Sequence, residues 1–381
     1  MGKTIYMDHN ATTPPLPEVI TAVGEAMSLT GANPSSIHAN GRAARKLIED
    51  AREAVAALVG AGPDDVIFTS GGSESNNTVI LGAGRRRILV SPTEHAAVLK
   101  TVLTRSSDTG LLTVDTNGLV DMNVLERVLA ECDEPALVCI MAANNETGVL
   151  QPMAEIAELA HRYGALVHCD AVQAVGKIPV DIKAWGVDYL ALSGHKFGGP
   201  QGIGALVRNG KLPLRSFITG GGQERGVRAG TENVAAIAGL GAAAKIAAAT
   251  LDEKIIRISG FRDALESGIK ALSPATRIFS EDTPRLPNTS NFTLPGVRSD
   301  TQLMALDLAG ISVSAGSACS AGKVEPSHVL DAMAVDSGES TTALRVSFGW
   351  SSEETDVDRF LDAWGELVRR GSSAAEESTA A

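Results

Sequence analysis

The chain has 381 residues, 44% of them hydrophobic and 20% charged, with a formal net charge of -12. That length supports a large core and two lobes, and the acidic balance argues against a nucleic-acid partner, which needs a basic surface. Four cysteines with no CxxC pair argue against a disulfide framework or a structural metal site.

The N-terminal stretch "MGKTIYMDHNATTPPLPEV" lacks the charged segment and apolar run of a signal peptide. The chain reads as free of any apolar stretch near the roughly 18 residues of a membrane span. A cytoplasmic protein with reduced thiols and no membrane partner is expected.

Next comes a helical stretch, "RAARKLIEDAREAVAALVG" at 42–60, and then the strand "VIFTS" at 66–70. This strand runs into "TSGGSESNN" at 69–77. Two glycines and a serine at a helix start make an anion cradle, with Gly72 allowing close backbone approach and the Ser73 hydroxyl offering a donor. The same pattern also makes an ordinary capped turn, and it lacks the ending of a Walker motif.

"RILVS" at 87–91 is another buried strand, followed by His95 in "SPTEHAAV". A histidine there is either a cap or a group that stacks on an aromatic cofactor and moves protons near neutral pH. The strand "ALVCIMA" at 136–142 leads into "AANNETG", a composition typical of turns. Its place at a strand end makes Asn145 a candidate for cofactor or substrate contact.

"MAEIAELAHRYG" at 153–164 is helical, and "ALVHCDA" at 165–171 is a strand that continues into Gln173. Alternation puts His168 and Asp170 on one face of it and Cys169 on the other. After the strand "DYLALS" at 188–193 comes "LSGHKFGGPQGIG" at 192–204. Lys196 sits just past a strand end, where α/β folds bind ligands. A lysine of lowered pKa there can form a Schiff base with pyridoxal phosphate. Asp170 would then face the pyridine nitrogen and keep the ring an electron sink, and Gln173 would donate to its phenolic oxygen.

"GALVRN" at 204–209 completes the strand–helix alternation, which argues for a mainly parallel α/β sheet. The glycine-rich "GGGQERGVRAGTEN" at 220–233 is a flexible loop or a second phosphate contact lent to a neighbouring subunit. An Ala-rich stretch at 231–250 and "DEKIIRISGFRDALESGIKAL" look like two consecutive helices, with a domain boundary near 255. The expected organisation is a large domain at 15–255, a small α+β domain made of 1–14 and 256–370, and a disordered acidic tail at 371–381.

In the second lobe, "SVSAGSACSAGKVEPSH" at 312–328 sets Cys319 among serines, alanines and glycines. Structural cysteines are usually buried among large hydrophobes and inert, so this thiol stands apart from Cys132, Cys139 and Cys169. Arg345, in the strand-like "TALRVSFGW", suits a substrate carboxylate held by a bidentate pair. A final helix is expected at 353–370.

Taken together, "YMDHNATTP", "NPSSIHANGR", "FTSGGSESNN", "TEHAAV", "NNETGV", "HCDAVQAVGK", "SGHKFGGPQGIG", "GGGQERGVRAGT", "GSACSAG" and "ALRVSFG" resemble the NifS/IscS-type cysteine desulfurases, fold-type I pyridoxal-phosphate enzymes. The resemblance covers nearly the whole chain except the tail. It implies an α/β fold-type I transferase, with a mainly parallel seven-stranded sheet in the large domain.

It also implies pyridoxal 5'-phosphate on Lys196, Asp170 as pyridinium partner, Gln173 on the ring oxygen and His95 stacked on the ring and moving protons. Gly72, Ser73, Ser193, His195 and a neighbour's Thr231 would hold the phosphate in a homodimer. Asn145, Arg345 and, more weakly, Asn33 would orient L-cysteine. Cys319 would be the nucleophile that takes the sulfur as a persulfide and passes it to an acceptor protein for iron-sulfur clusters or other thio-cofactors. Ser73 stands where many relatives have threonine, which keeps the hydroxyl. The "GSAC" loop matches the group with a long loop, and the short C-terminal segment leaves the acceptor open. Selenocysteine lyase shares most of these motifs; another fold-type I enzyme such as an aminotransferase would not need Cys319, and a non-catalytic interaction protein would not need the intact cofactor motifs.

Overall fold

The computed structural model describes residues 4–31, 33–105, 108–316 and 326–379. Cys319 and most of its loop lie outside the described residues.

In chain order the strands are β1 (Ile5–Tyr6), β2 (Val66–Thr69), β3 (Ile88–Val90), β4 (Thr109–Leu111), β5 (Leu137–Met141), β6 (Leu166–Asp170), β7 (Tyr189–Ser193), β8 (Gly204–Arg208), β9 (Thr289–Thr293), β10 (Ile311–Ser312) and β11 (Ala343–Ser347). Seven of them form one sheet in the order β2-β8-β7-β6-β5-β3-β4. All its neighbours are parallel except at β8, which runs antiparallel to both β2 and β7. β5 and β7 are buried along their whole length, as short apolar runs covered on both faces should be. The strand missing from the sequence reading is β4, a three-residue edge strand that is only partly buried.

The helices that matter for the site are α1 (Pro17–Met27), α2 (Ala39–Leu58), α3 (Gly72–Gly82), α4 (Ala96–Arg105), α5 (Met122–Ala130), α6 (Met153–Arg162) and α7 (Val234–Leu272). Where two helices were expected, α7 is one continuous helix of 39 residues, capped by the Asn233 side chain on the Ala236 N–H. Its first half is apolar and long enough to pass for a membrane span, against the expectation of none. That half packs its small residues on α1 and α2 as a core helix.

The second half of α7 enters another core. Ile258, Leu265 and Ile269 pack with Met7, Phe292, Leu344, Phe360 and Trp364. There β9 pairs antiparallel with β11, and β1 pairs parallel with β10. The N-terminal segment thus leaves the second lobe and crosses to the mouth of the large sheet. Beyond α8 (Ser299–Leu308), α9 (His328–Ala332) and α10 (Ser337–Ser340), the last helix, α11, spans Glu354–Thr379. Its backbone continues through most of the tail expected to be disordered, in keeping with the high helix propensity of Ala and Glu in "AAEE".

Candidate active site

The strands β2, β3, β5, β6 and β7 all point the same way. Residues just past their C-terminal ends therefore share one crevice, the place where open α/β sheets bind ligands.

Lys196 closes a short 3-10 turn directly after β7. Its Nζ donates to the carbonyl oxygens of Asn10 at 2.6 Å and Ala11 at 2.8 Å. Both carbonyls come from the N-terminal crossing segment, so a nitrogen on the sheet domain is held by backbone belonging to the other end of the chain.

Asp170 ends β6 and is buried. Its Oδ1 accepts from the Val172 N–H at 3.0 Å, and its Oδ2 accepts from Asn76 Nδ2 at 2.7 Å. The Asn76 Oδ1 in turn meets His168 Nε2 at 2.9 Å. Burial pushes His168 down to about 3, so the ring is neutral and donates this proton. Asn76 is then oriented with its amide nitrogen on Asp170. The expected alternation on β6 holds: His168 and Asp170 belong to one network, while Cys169 lies in the core, its thiol pushed well up by burial and by Asp170 and Glu94.

Gly71, Gly72 and Ser73 begin α3 beside Asp170. Gly71 has φ +152°, and a side chain on Gly72 would meet Val172 Cγ2 at 2.6 Å. Glycine suits this position because the Val172 side chain, just past β6, lies where a Cβ would go. The first backbone N–H groups of α3, on residues 72–74, have no acceptor among the described residues, which is the geometry that takes a phosphate. Ser73 is exposed and Ser193 is buried.

His95 lies at the start of α4, where its Nδ1 accepts from the Ala97 N–H at 3.1 Å. In the neutral ring that leaves the proton on Nε2. Burial holds its pKa below the usual value, aided by Lys196 and His328 and opposed by Asp170. His195 meets Thr12 Oγ1 at 3.0 Å and is lowered to about 4 by burial and by Lys196 and Lys177.

Across the crevice, Arg345 sits on β11, 3% exposed. Its Nη2 pairs with Asp8 Oδ1 at 2.6 Å and its Nη1 donates to the Asn145 carbonyl at 3.0 Å. Its Nε is buried without a partner among the described residues, an orphaned donor that suits an incoming carboxylate. Asn145 is half-buried at the mouth.

Two further expected residues lie at the surface. Asn33 is exposed, and its Oδ1 is occupied by the Ser35 N–H at 2.9 Å. Thr231 is also exposed.

Several residues at the site were not singled out from the sequence. Asn10 is buried and bonds Lys196, Gln173, Lys177 and Asn288. Glu94 is fully buried beside Asp170, with its pKa raised well above the usual value by burial and then by Asp170. Glu146 accepts from Ser327 Oγ at 2.5 Å. Their only signal was membership of the quoted motifs, since a buried asparagine or glutamate leaves no periodic trace.

A lysine at a strand end, a facing buried carboxylate, a glycine-lined helix start and an orphaned guanidinium N–H fit pyridoxal phosphate and an amino acid. Fold and crevice thus define a class, the two-lobed α/β enzymes that carry this cofactor on a lysine. The aminotransferase class-V profile matches residues 5–360, and the chain belongs to that family, whose members depend on pyridoxal phosphate. The chain is 42% identical to an IscS-like cysteine desulfurase of Mycobacterium tuberculosis, over 97% of this chain and 98% of that one. It is 42% identical to a cysteine desulfurase of Cereibacter sphaeroides, over 96% and 95%. A NifS-like protein from Rickettsia africae superposes with a TM-score of 0.89 at 38% identity, covering 96% of this chain and 99% of that one.

Proposed function

We propose that the protein is a cysteine desulfurase that converts L-cysteine to alanine and loads the sulfur on Cys319 as a persulfide, for delivery to an acceptor protein. The observation that carries the reading is the meeting of Lys196, Asp170 and Arg345 in one crevice, with a carboxylate-ready N–H on Arg345.

Pyridoxal phosphate, when bound, supplies the electron sink that lets the substrate's bonds at carbon break. Asp170 would face the ring nitrogen, and the N–H groups at the start of α3 with Ser73, Ser193 and His195 would hold the phosphate. Arg345 and Asn145 orient the substrate carboxylate and amine. Lys196, whose Nζ donates to the Asn10 and Ala11 carbonyls, would carry the cofactor and would serve as the base for the substrate's α-proton. His95, with its proton on Nε2, would stack on the ring and move protons there.

The Cys319 thiolate attacks the substrate sulfur. The carbon–sulfur bond breaks with its electron pair left on carbon, which is protonated to alanine, and a sulfur–sulfur bond remains on Cys319. A free thiol with a pKa near ~8.5 is only slightly ionised at pH 7, so a local base such as His95, or the positive field of the bound cofactor, would aid this step.

The same reading makes the protein a cytoplasmic homodimer. Its described cysteines are free thiols, as a reducing compartment keeps them, and exposed Thr231 is available to a neighbour's phosphate site. The test is alanine and sulfide release from L-cysteine with reductant. Wild type should turn over, Lys196→Ala should lose alanine formation and Cys319→Ala should lose the persulfide. Full sulfide release by Cys319→Ala would sink the reading.

A further inference from the structure

Gln173 follows β6 in a tight turn and ends in an amide whose two ends look alike in size but differ in chemistry. Its Oε1 accepts from Lys177 Nζ at 2.5 Å, and its Nε2 donates to the Asn10 carbonyl at 2.9 Å. Its second Nε2 hydrogen has no acceptor among the described residues. The opposite orientation would turn a donor toward Lys177 and an acceptor toward the Asn10 oxygen, so both neighbours exclude it.

Lys177 lies four residues on and is buried. It donates to two oxygens, Gln173 Oε1 and, at 2.8 Å, Asn10 Oδ1. The charged groups facing it are Lys196, Lys254 and Arg345, and His9 lies beside it. A buried amine among cations does not act here as a surface charge. An amine has two hydrogens to donate whether or not it carries the extra proton, and two acceptors are what it meets.

We infer that Lys177 is a positioning residue: with Asn10 it locks the Gln173 amide so that the side chain presents only a donor to the cofactor's phenolic oxygen. The inference rests on the reading of the crevice given above. A donor there stabilises the phenolic anion and weakens its hold on the proton of the neighbouring nitrogen, the one joined to Lys196. Without Lys177 only the Asn10 carbonyl opposes the reverse orientation, so Gln173 presents its oxygen part of the time, and that proton is held more tightly.

The experiment is a pH titration of the visible absorption band of the bound cofactor in wild type, Lys177→Met, Gln173→Ala and the double variant. Lys177→Met should raise the midpoint by roughly one pH unit, the size of one hydrogen bond distinguishing two protonation states. Gln173→Ala should raise it similarly, and the double variant no further, because both act through one amide. An unchanged midpoint in Lys177→Met overturns the inference. So do additive shifts in the double variant, which would mean that Lys177 acts through its charge alone. If Lys177→Met does not fold, Lys177→Ala is read by the same criteria. A wild-type protein that forms no cofactor band overturns the reading of the crevice and this inference with it.

Discussion

Arg345, proposed above to take the substrate carboxylate, is fixed by its neighbours. Asp8 and the Asn145 carbonyl occupy its two Nη atoms, which fixes the plane of the guanidinium and leaves Nε as an orphaned donor. A planar fork of this kind is not reproduced by lysine. Arg345→Lys should therefore raise KM for L-cysteine about 10–100-fold, equivalent to losing one charged hydrogen-bonded pair, with a smaller effect on kcat. Steady-state kinetics checks this, and an unchanged KM would remove Arg345 from the substrate's carboxylate.

At the scale of elements, α7 joins the two cores, and its glycines have unequal reasons to be there. A Cβ on Gly241 would lie 2.6 Å from both Cα and Cβ of Ala51 on α2, a backbone that has nowhere to go. Gly260, on the same helix, has open space around it. Alanine is the better helix former by about 1 kcal/mol, yet overpacking a rigid contact costs about 1–3 kcal/mol. Gly260→Ala should stabilise the protein by about 0.5–1 kcal/mol and Gly241→Ala should destabilise it by about 1–2 kcal/mol, opposite signs for the same change. Urea denaturation of the two variants decides the point.

For the molecule as a whole, buried histidines lower stability as the pH falls. His9 and His168 are held neutral by burial, each lowered to about 3 from an ordinary 6.5. In the unfolded chain they take up protons as pH falls below 6.5, while the folded protein does not, so stability drops through the window from about 6.5 toward 3. At pH 5 each withdraws about 2 kcal/mol. Glu94, raised by burial, acts with the opposite sign, so the comparison to make is wild type against His168→Gln. Between pH 7.5 and 5 the variant should lose about 2 kcal/mol less than wild type in urea denaturation; equal slopes would mean that His168 is not buried neutral.

What local pattern could carry was legible along the chain. Apolar runs of four to seven residues marked six strands of the large sheet, but the edge strand Thr109–Leu111 is short and half-exposed and has no such run. The change from Ala-rich to charged composition near residue 250 suggested a break in α7, where no proline or helix-stopping cap interrupts the hydrogen-bonded ladder. Lys196, Asp170 and the glycines before Ser73 were readable because each sits at the end of a strand, where position alone implies a crevice. The partners of those residues were not readable. Asn10 meets Lys196 across 186 residues, and Lys177 orients Gln173 only because both are buried against that same asparagine. Periodicity and turn chemistry are local and survive in one dimension, so the sequence by itself determined the fold class and pointed to the candidate reactive groups. Which carbonyl receives which donor depends on how distant segments pack, and that was decided only by the tertiary structure.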